Sequence, residues 1–357
     1  MQILFITDLY PVKDNEIKTP KTLFNFVNNW EKSGNLVDVI KPNFILNSFL
    51  RKKPFYKTGS YEKVFNVNYW TPFCGNIKKK FSNLEKYDLV IAHMPSGILF
   101  ADKLHVPFIA GVHNSDIEVL TKPPYKFYFG KRLKKALDNS RAIACRSDVL
   151  KNKLLELYPQ YAEKTFVAPS GISPSIICNK TNFNNHEPLK VITCAKFIKR
   201  KNIDKIIEAC KNLDGVELTV IGDGELRNKL KKFDKKVIFT GWLKPEEVYK
   251  KMCESDVFIL PSQNETFGMV YLEAMASGCI TICRQNDGIA GIIKDNENGF
   301  LTEADSKKIR ELITHIKNMD KQDIIRIKTN SMITVEKYTD ERCSENYINQ
   351  ILKFCND

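Results

Sequence analysis

Two glutamates, Glu265 and Glu273, stand eight positions apart in SQNETFGMVYLEAMASG, residues 262–278. The first falls in a polar loop and the second in an apolar run. Phe267 to Ala276 reads as a helix with Thr266 as its N-cap, and Met269, Leu272 and Met275 fall on one buried stripe. The amides of Phe267, Gly268 and Met269 would then open toward the loop, as at an anion-binding helix N-terminus. Gly268 lets a ligand approach the backbone closely. One carboxylate beside such a turn and another two turns along suit a ligand carrying both phosphate and hydroxyl groups. A solvated helix with surface glutamates is the plainer alternative.

Other groups repeat the theme. Lys196, Lys199, Arg200 and Lys201 follow the strand-like run Lys190–Cys194, and cations at a strand end can neutralise a diphosphate. Gly222 and Gly224 follow another strand, Glu217–Ile221, but lack the third glycine of a dinucleotide fingerprint. They fit a tight turn against a ligand better than NAD binding. Asp287–Gly288 closes a further strand, Ile280–Cys283. His93 and His113 end the runs Leu89–Ala92 and Phe108–Val112, the edge where ligands sit in parallel sheets. His113, beside Asn114 and Asp116, could hydrogen-bond a sugar or polarise a phosphate, or be a structural core histidine.

The elements that must position these residues alternate strand and helix, so the fold class is α/β with parallel sheets. At 357 residues two domains are expected. The boundaries read as 1–172, a polar linker 173–188, 189–338, and a final helical segment 339–357. A 43% hydrophobic fraction excludes a disordered chain, and the ten cysteines form no CxxC pair, which argues against zinc or a disulfide framework. No apolar run is long enough to span a bilayer and no basic leader opens the chain, so the expected location is cytoplasmic.

The net charge of +13 is uneven: residues 1–175 hold 26 Lys/Arg against 15 Asp/Glu, and residues 176–357 hold 29 against 27. The basic half implies an anionic partner. Clusters at 51–53 and 78–80 contribute. So does KPPYKFYFGKRLKKALDNSR, residues 122–141, where seven basic residues interleave with Tyr125, Phe127, Tyr128 and Phe129. That mixture suits an anionic membrane surface. RNA contact and an ordinary helix with buried rings are the alternatives.

Together these pieces resemble the retaining glycosyltransferases of family 4, which have the GT-B fold. The family's acidic motif stands complete as PSQNETFGMVYLEAMASG from Pro261 to Gly278. Lys196 and Lys201 take the positions of its arginine and lysine, Gly222 and Gly224 its G-x-G turn, and His113 its histidine. The glycine-rich loop near the N-terminus is replaced by PVKDNEIKTP, and Gly291 stands where a glutamate is usual.

The resemblance implies two Rossmann-like domains facing across a cleft, with a C-terminal helix returning to the first. It implies metal-independent, retaining transfer of a hexosyl or N-acetylhexosaminyl group from a UDP- or GDP-sugar, with no cofactor. The acceptor would be a glycan or lipid-linked glycan of the cell surface, reached from the inner face of the membrane, and no nucleic acid is expected. Glu265, His113 and Lys201 would be catalytic. Lys196, Lys201 and the amides of Phe267, Gly268 and Met269 would hold the diphosphate. Glu273, Gly222 and Gly224 would hold the nucleotide. An epimerase or phosphorylase of this fold, or a non-catalytic sugar- or nucleic-acid-binding relative, would share most of these features.

Overall fold

The computed structural model describes residues 1–11, 21–42, 55–57, 84–178 and 187–355. Most of the loop at 11–20, the basic clusters at 51–53 and 78–80, and 179–186 of the polar linker lie outside them. The chain forms two units, Met1–Ser170 with Asp340–Asp357, and Gly171–Thr339.

In the first unit, β1 (Gln2–Ile6), β2 (Leu36–Lys41), β3 (Phe55–Lys57), β4 (Leu89–His93), β5 (Ile109–Val112), β6 (Ala142–Cys145) and β7 (Thr165–Val167) form one sheet. Its order is β3-β2-β1-β4-β5-β6-β7. Edge strand β3 runs antiparallel to β2, an exception to the expected all-parallel pattern; the other pairings are parallel. Strands such as LVIAH are buried along their whole length, because helices cover both faces of a parallel sheet. α1 (Thr22–Lys32) buries Leu23, Phe26, Val27 and Trp30, one stripe at helical spacing. The C-terminal helix, Asp340–Lys353, packs on that stripe within this unit. There Trp30 Nε1 donates to the Ser344 carbonyl at 2.9 Å, and the Phe26 and Tyr347 rings meet at 5.3 Å.

Between β4 and β7 lie α2 (Met94–Asp102), α3 (Asn114–Thr121), a π-helical turn Lys126–Gly130, α4 (Lys131–Asn139) and α5 (Asp148–Leu157). Ser147 caps α5, its hydroxyl accepting from the Leu150 amide at 3.2 Å.

The second unit holds β8 (Leu189–Cys194), β9 (Val216–Ile221), β10 (Ile238–Gly241), β11 (Val257–Leu260), β12 (Ile280–Arg284) and β13 (Phe300–Thr302). These are all parallel, in the order β10-β9-β8-β11-β12-β13. α6 (Ile203–Cys210), α7 (Arg227–Leu230), α8 (Pro245–Cys253), α9 (Met269–Ala276), α10 (Ser306–Lys317) and α11 (Lys321–Lys337) connect or flank them, and Asp340–Lys353 is α12. β13 is too short to announce itself in sequence.

In both sheets the winding direction reverses beside the first strand: between β1 and β4, and between β8 and β11. Such reversals part the loops at the carboxyl edge and leave a crevice for a ligand.

Candidate active site

The second unit's crevice is walled by the loop after β8 and the loop after β11, and these carry the cations and the acidic motif. The loops are stitched together. Asn202 Nδ2 donates to the Pro261 carbonyl at 2.8 Å, and the Gln263 amide donates to the Arg200 carbonyl at 2.8 Å. This brings three donors onto one oxygen of Glu265. Lys201 Nζ forms a close ion pair with Oε1, Arg200 Nη1 stands 3.0 Å from it, and the Ser262 hydroxyl donates at 2.7 Å. Burial pushes the Glu265 pKa up, but Lys201, Ser262 and Arg200 more than offset it and hold the group below the usual carboxylate range. Because all three donors converge on Oε1, Oε2 is the atom able to accept from a ligand hydroxyl.

The motif loop is fixed from behind. Asp287 accepts from the Asn264 amide at 2.5 Å and from the Glu265 amide at 2.8 Å. A Cβ on Gly288 would lie 2.6 Å from the Glu265 Cβ, so only glycine lets this turn support the carboxylate. Asp287–Gly288 is therefore a buttress for Glu265.

The helix after the loop begins at Met269, two residues later than the sequence predicts, and Thr266 is not its cap. Gly268 takes the N-cap position at φ 92°, a left-handed conformation. A side chain there would collide with the Tyr271 ring, whose hydroxyl is anchored to the Leu260 carbonyl at 2.7 Å. Gly268 and Met269 remain at the opening turn, and Phe267 is buried just before it. Glu273 lies one turn into α9 and is bonded by Tyr249 of α8. Burial raises its pKa to about 7, with the Tyr249 bond opposing.

Gly222 and Gly224 stand at the carboxyl end of β9. Their bare backbone packs on residues 195–197, where a Cβ on Gly222 would meet the Ala195 carbonyl at 2.0 Å. They thus shape the cation loop from below. Lys196 is exposed on that loop and takes no part in the Glu265 cluster.

His113 belongs to the first unit. It is the N-cap residue of α3, and its amide donates to Asp116 Oδ2 at 2.8 Å. Its Nε2 lies 3.0 Å from Nδ1 of His93, and His93 Nε2 lies 2.9 Å from the Tyr347 hydroxyl. Burial, with Arg146 nearby, lowers the His113 pKa to about 3 and His93 well below its ordinary value, so both rings are neutral.

Sequence reasoning singled out Glu265, Lys201 and Glu273, but did not assign partners to Glu265. Ser262 and Asp287 lay unread within motifs already quoted, and Arg200 sat among four undifferentiated cations. Tyr347 carries no sequence signal, since it is brought to His93 from a distant helix.

Two α/β units, each with a sheet that winds both ways from its first strand, form the pair of Rossmann-like domains of a GT-B fold. The comparisons agree. Residues 21–176 match the model of Glycosyltransferase Family 4, and residues 178–331 that of Glycosyl transferases group 1. An uncharacterised glycosyltransferase of Methanocaldococcus jannaschii, MJ1178, is 30% identical over 73% of this chain and 78% of its own. The amylovoran biosynthesis glycosyltransferase AmsK of Erwinia amylovora is 26% identical over 54% of this chain and 51% of its own. Among solved structures, HepE of Anabaena in complex with UDP superposes with TM-score 0.74 over 99% of this chain and 100% of HepE, at 17% identity, and so bears on fold alone. The chain belongs to the family 4, or group 1, glycosyltransferases.

Proposed function

We propose that this glycosyltransferase moves a hexosyl or N-acetylhexosaminyl group from a nucleotide-sugar donor, with retention and without a metal, to a glycan or lipid-linked acceptor in surface-polysaccharide synthesis. The observation that carries this reading is the Lys201–Glu265–Arg200 cluster at the crevice between β8 and β11. Cleaving a glycosyl–phosphate bond leaves negative charge on a nucleoside diphosphate. Lys201, with Lys196 on the same loop, supplies cations for that charge, as a metal would elsewhere. The amides of Phe267, Gly268 and Met269 add donors at the opening of α9. Oε2 of Glu265 accepts from sugar hydroxyls, and Glu273 bonds the ribose, with Gly222 and Gly224 holding the cation loop under the nucleotide. His113, at the end of β5, is the further residue assigned to a sugar hydroxyl in this reading. AmsK is an amylovoran biosynthesis glycosyltransferase and HepE has been solved with UDP-glucose, which supports a UDP-sugar donor and a glycan acceptor.

Proton NMR of the product tests the stereochemistry: transfer from an α-linked donor should give an α-linked product, and a β-linked one overturns retention. An epimerase would convert the nucleotide sugar with no acceptor present, and the same spectra exclude or reveal it.

The proposed membrane setting is supported by residues 122–128, every one of which is exposed. Phe127 is 80% exposed, Tyr128 70% and Tyr125 51%, beside exposed Lys122, Lys126, Lys131 and Arg132. Rings of this size seldom face water together without a partner. Cations around them fit an anionic lipid surface, with the enzyme peripheral on the inner leaflet. Among the described residues no helix is long and apolar enough to cross a membrane. Phosphatidylglycerol vesicles should sediment the protein in a salt-sensitive manner, and the double variant Phe127→Ser, Tyr128→Ser should lose most of that binding. Equal binding to phosphatidylcholine, or no effect of the double variant, rejects this docking mode.

A further inference from the structure

The first unit contains a chain of three buried polar rings whose middle member has no assigned role. His93 is fully buried at the end of β4, flat against β5: a Cβ on Gly111 would lie 2.3 Å from its ring. Phe5 packs on the same ring at 5.3 Å. The sequence thus reserves space for an imidazole where a small apolar residue would fit more simply. Its two nitrogens reach the Tyr347 hydroxyl on α12 at 2.9 Å and His113 Nε2 at 3.0 Å.

The proton count along this chain is restrictive. A neutral imidazole has one N–H and one lone-pair nitrogen, so His93 must donate at one end and accept at the other. The two hydrogen bonds are therefore locked in the same direction. Tyr347 is also buried, and His93 is its one hydroxyl partner among the described residues. A buried phenol that fails to donate its proton is costly. Tyr347 therefore donates to His93 Nε2, His93 Nδ1–H donates to His113 Nε2, and His113 carries its own proton on Nδ1.

We propose that Tyr347 and His93 are positioning residues that fix His113 as the Nδ1–H tautomer, so that it meets the donor sugar or acceptor as a hydrogen-bond donor. This rests on the reading that His113 addresses the sugar. It gives the C-terminal helix a function beyond covering the sheet, because one hydroxyl of α12 sets the chemistry offered at the end of β5.

The test is imidazole nitrogen NMR on the full chain, tractable with five histidines that single substitutions assign. In the wild-type protein His113 should appear as one neutral tautomer, protonated on Nδ1. Tyr347→Phe removes the one donor to His93 Nε2 among the described residues, leaves that nitrogen free to hold the proton, and should move His113 toward the Nε2–H form. A His113 spectrum unchanged by Tyr347→Phe, or Nε2–H in the wild type, overturns the relay. Turnover of the nucleotide sugar giving the largest thermal shift in a panel of UDP-, GDP- and ADP-sugars should then fall about tenfold in Tyr347→Phe, chiefly in kcat, with little change in thermal stability. Turnover unaltered despite a shifted tautomer overturns the positioning role. His113→Gln separates the two claims: if it leaves turnover intact, the sugar-facing reading of His113 fails while the tautomer result stands.

Discussion

The two sheets share a winding pattern, yet different groups stand at their reversal points. Between β8 and β11 the side chains are ionic: Glu265 shares two cations. At the ends of β4 and β5 the linked groups are two uncharged imidazoles and a phenol in a chain, with the Arg146 cation beside them. Under the proposed function the difference would match glycosyl transfer in which one partner leaves with a diphosphate charge and the other offers hydroxyl groups. A fold duplicated in architecture can thus divide its work by what it places at equivalent strand ends.

The largest effect that would sharpen this contrast is at Lys201. Lys201→Ala should lower kcat about 100- to 1000-fold, the usual consequence of removing one preorganised group from a developing charge. His113→Gln removes one neutral hydrogen bond and should cost about tenfold. Equal losses would erase the distinction between the two edges.

Next in size is the response to pH. Both histidines are held neutral, so neither should produce a limb near 6.5 in the kcat/KM profile. Glu273, raised to about 7, is the group that titrates there. A limb near 7 should vanish in Glu273→Gln and persist in His113→Gln. The same shift has a stability consequence. Glu273 in the folded protein holds its proton up to about 7, whereas the unfolded chain releases it near the ordinary carboxylate value, so stability declines as pH rises between them. Glu273→Gln should therefore stabilise the protein by about 2–3 kcal/mol at pH 8, measured by urea unfolding, and by little at pH 4.

Glu265 has the opposite sign. Its folded pKa is depressed, so its contribution is present above the ordinary carboxylate value and is lost as pH falls through the depressed one. Glu265→Gln should cost about 3 kcal/mol at neutral pH, because it leaves Lys201 without its charge partner, and the cost should shrink in acid. The smallest effect is at Arg200, which is 42% exposed. Arg200→Ala should change stability by less than about 1 kcal/mol.

Much of this contrast was legible in the chain itself. Alternating apolar runs and helical stripes mark both sheets, because parallel strands buried on two faces leave continuous hydrophobic segments. Spacing leaves Glu265 and Glu273 open to a surface-helix reading, and it is the resemblance of PSQNETFGMVYLEAMASG to the family motif that singles them out. The start of α9 was misplaced because Thr266 is a good capping residue in isolation, whereas packing of Tyr271 under a left-handed Gly268 decides the real boundary. The Glu265 partners were hidden because loops far apart in sequence meet only when β8 and β11 pair. His93 was visible as a strand end, but its link to Tyr347 spans 254 residues and no local pattern encodes it.

The most direct test of the central claim is calorimetric binding of UDP, GDP and ADP to the wild-type protein, Lys201→Met and His113→Gln. At least one diphosphate should bind the wild type, Lys201→Met should weaken it tenfold or more, and His113→Gln should leave it within about twofold. Diphosphate affinity that survives Lys201→Met, or that falls equally in His113→Gln, would contradict the assignment of charge to one sheet edge and neutral recognition to the other.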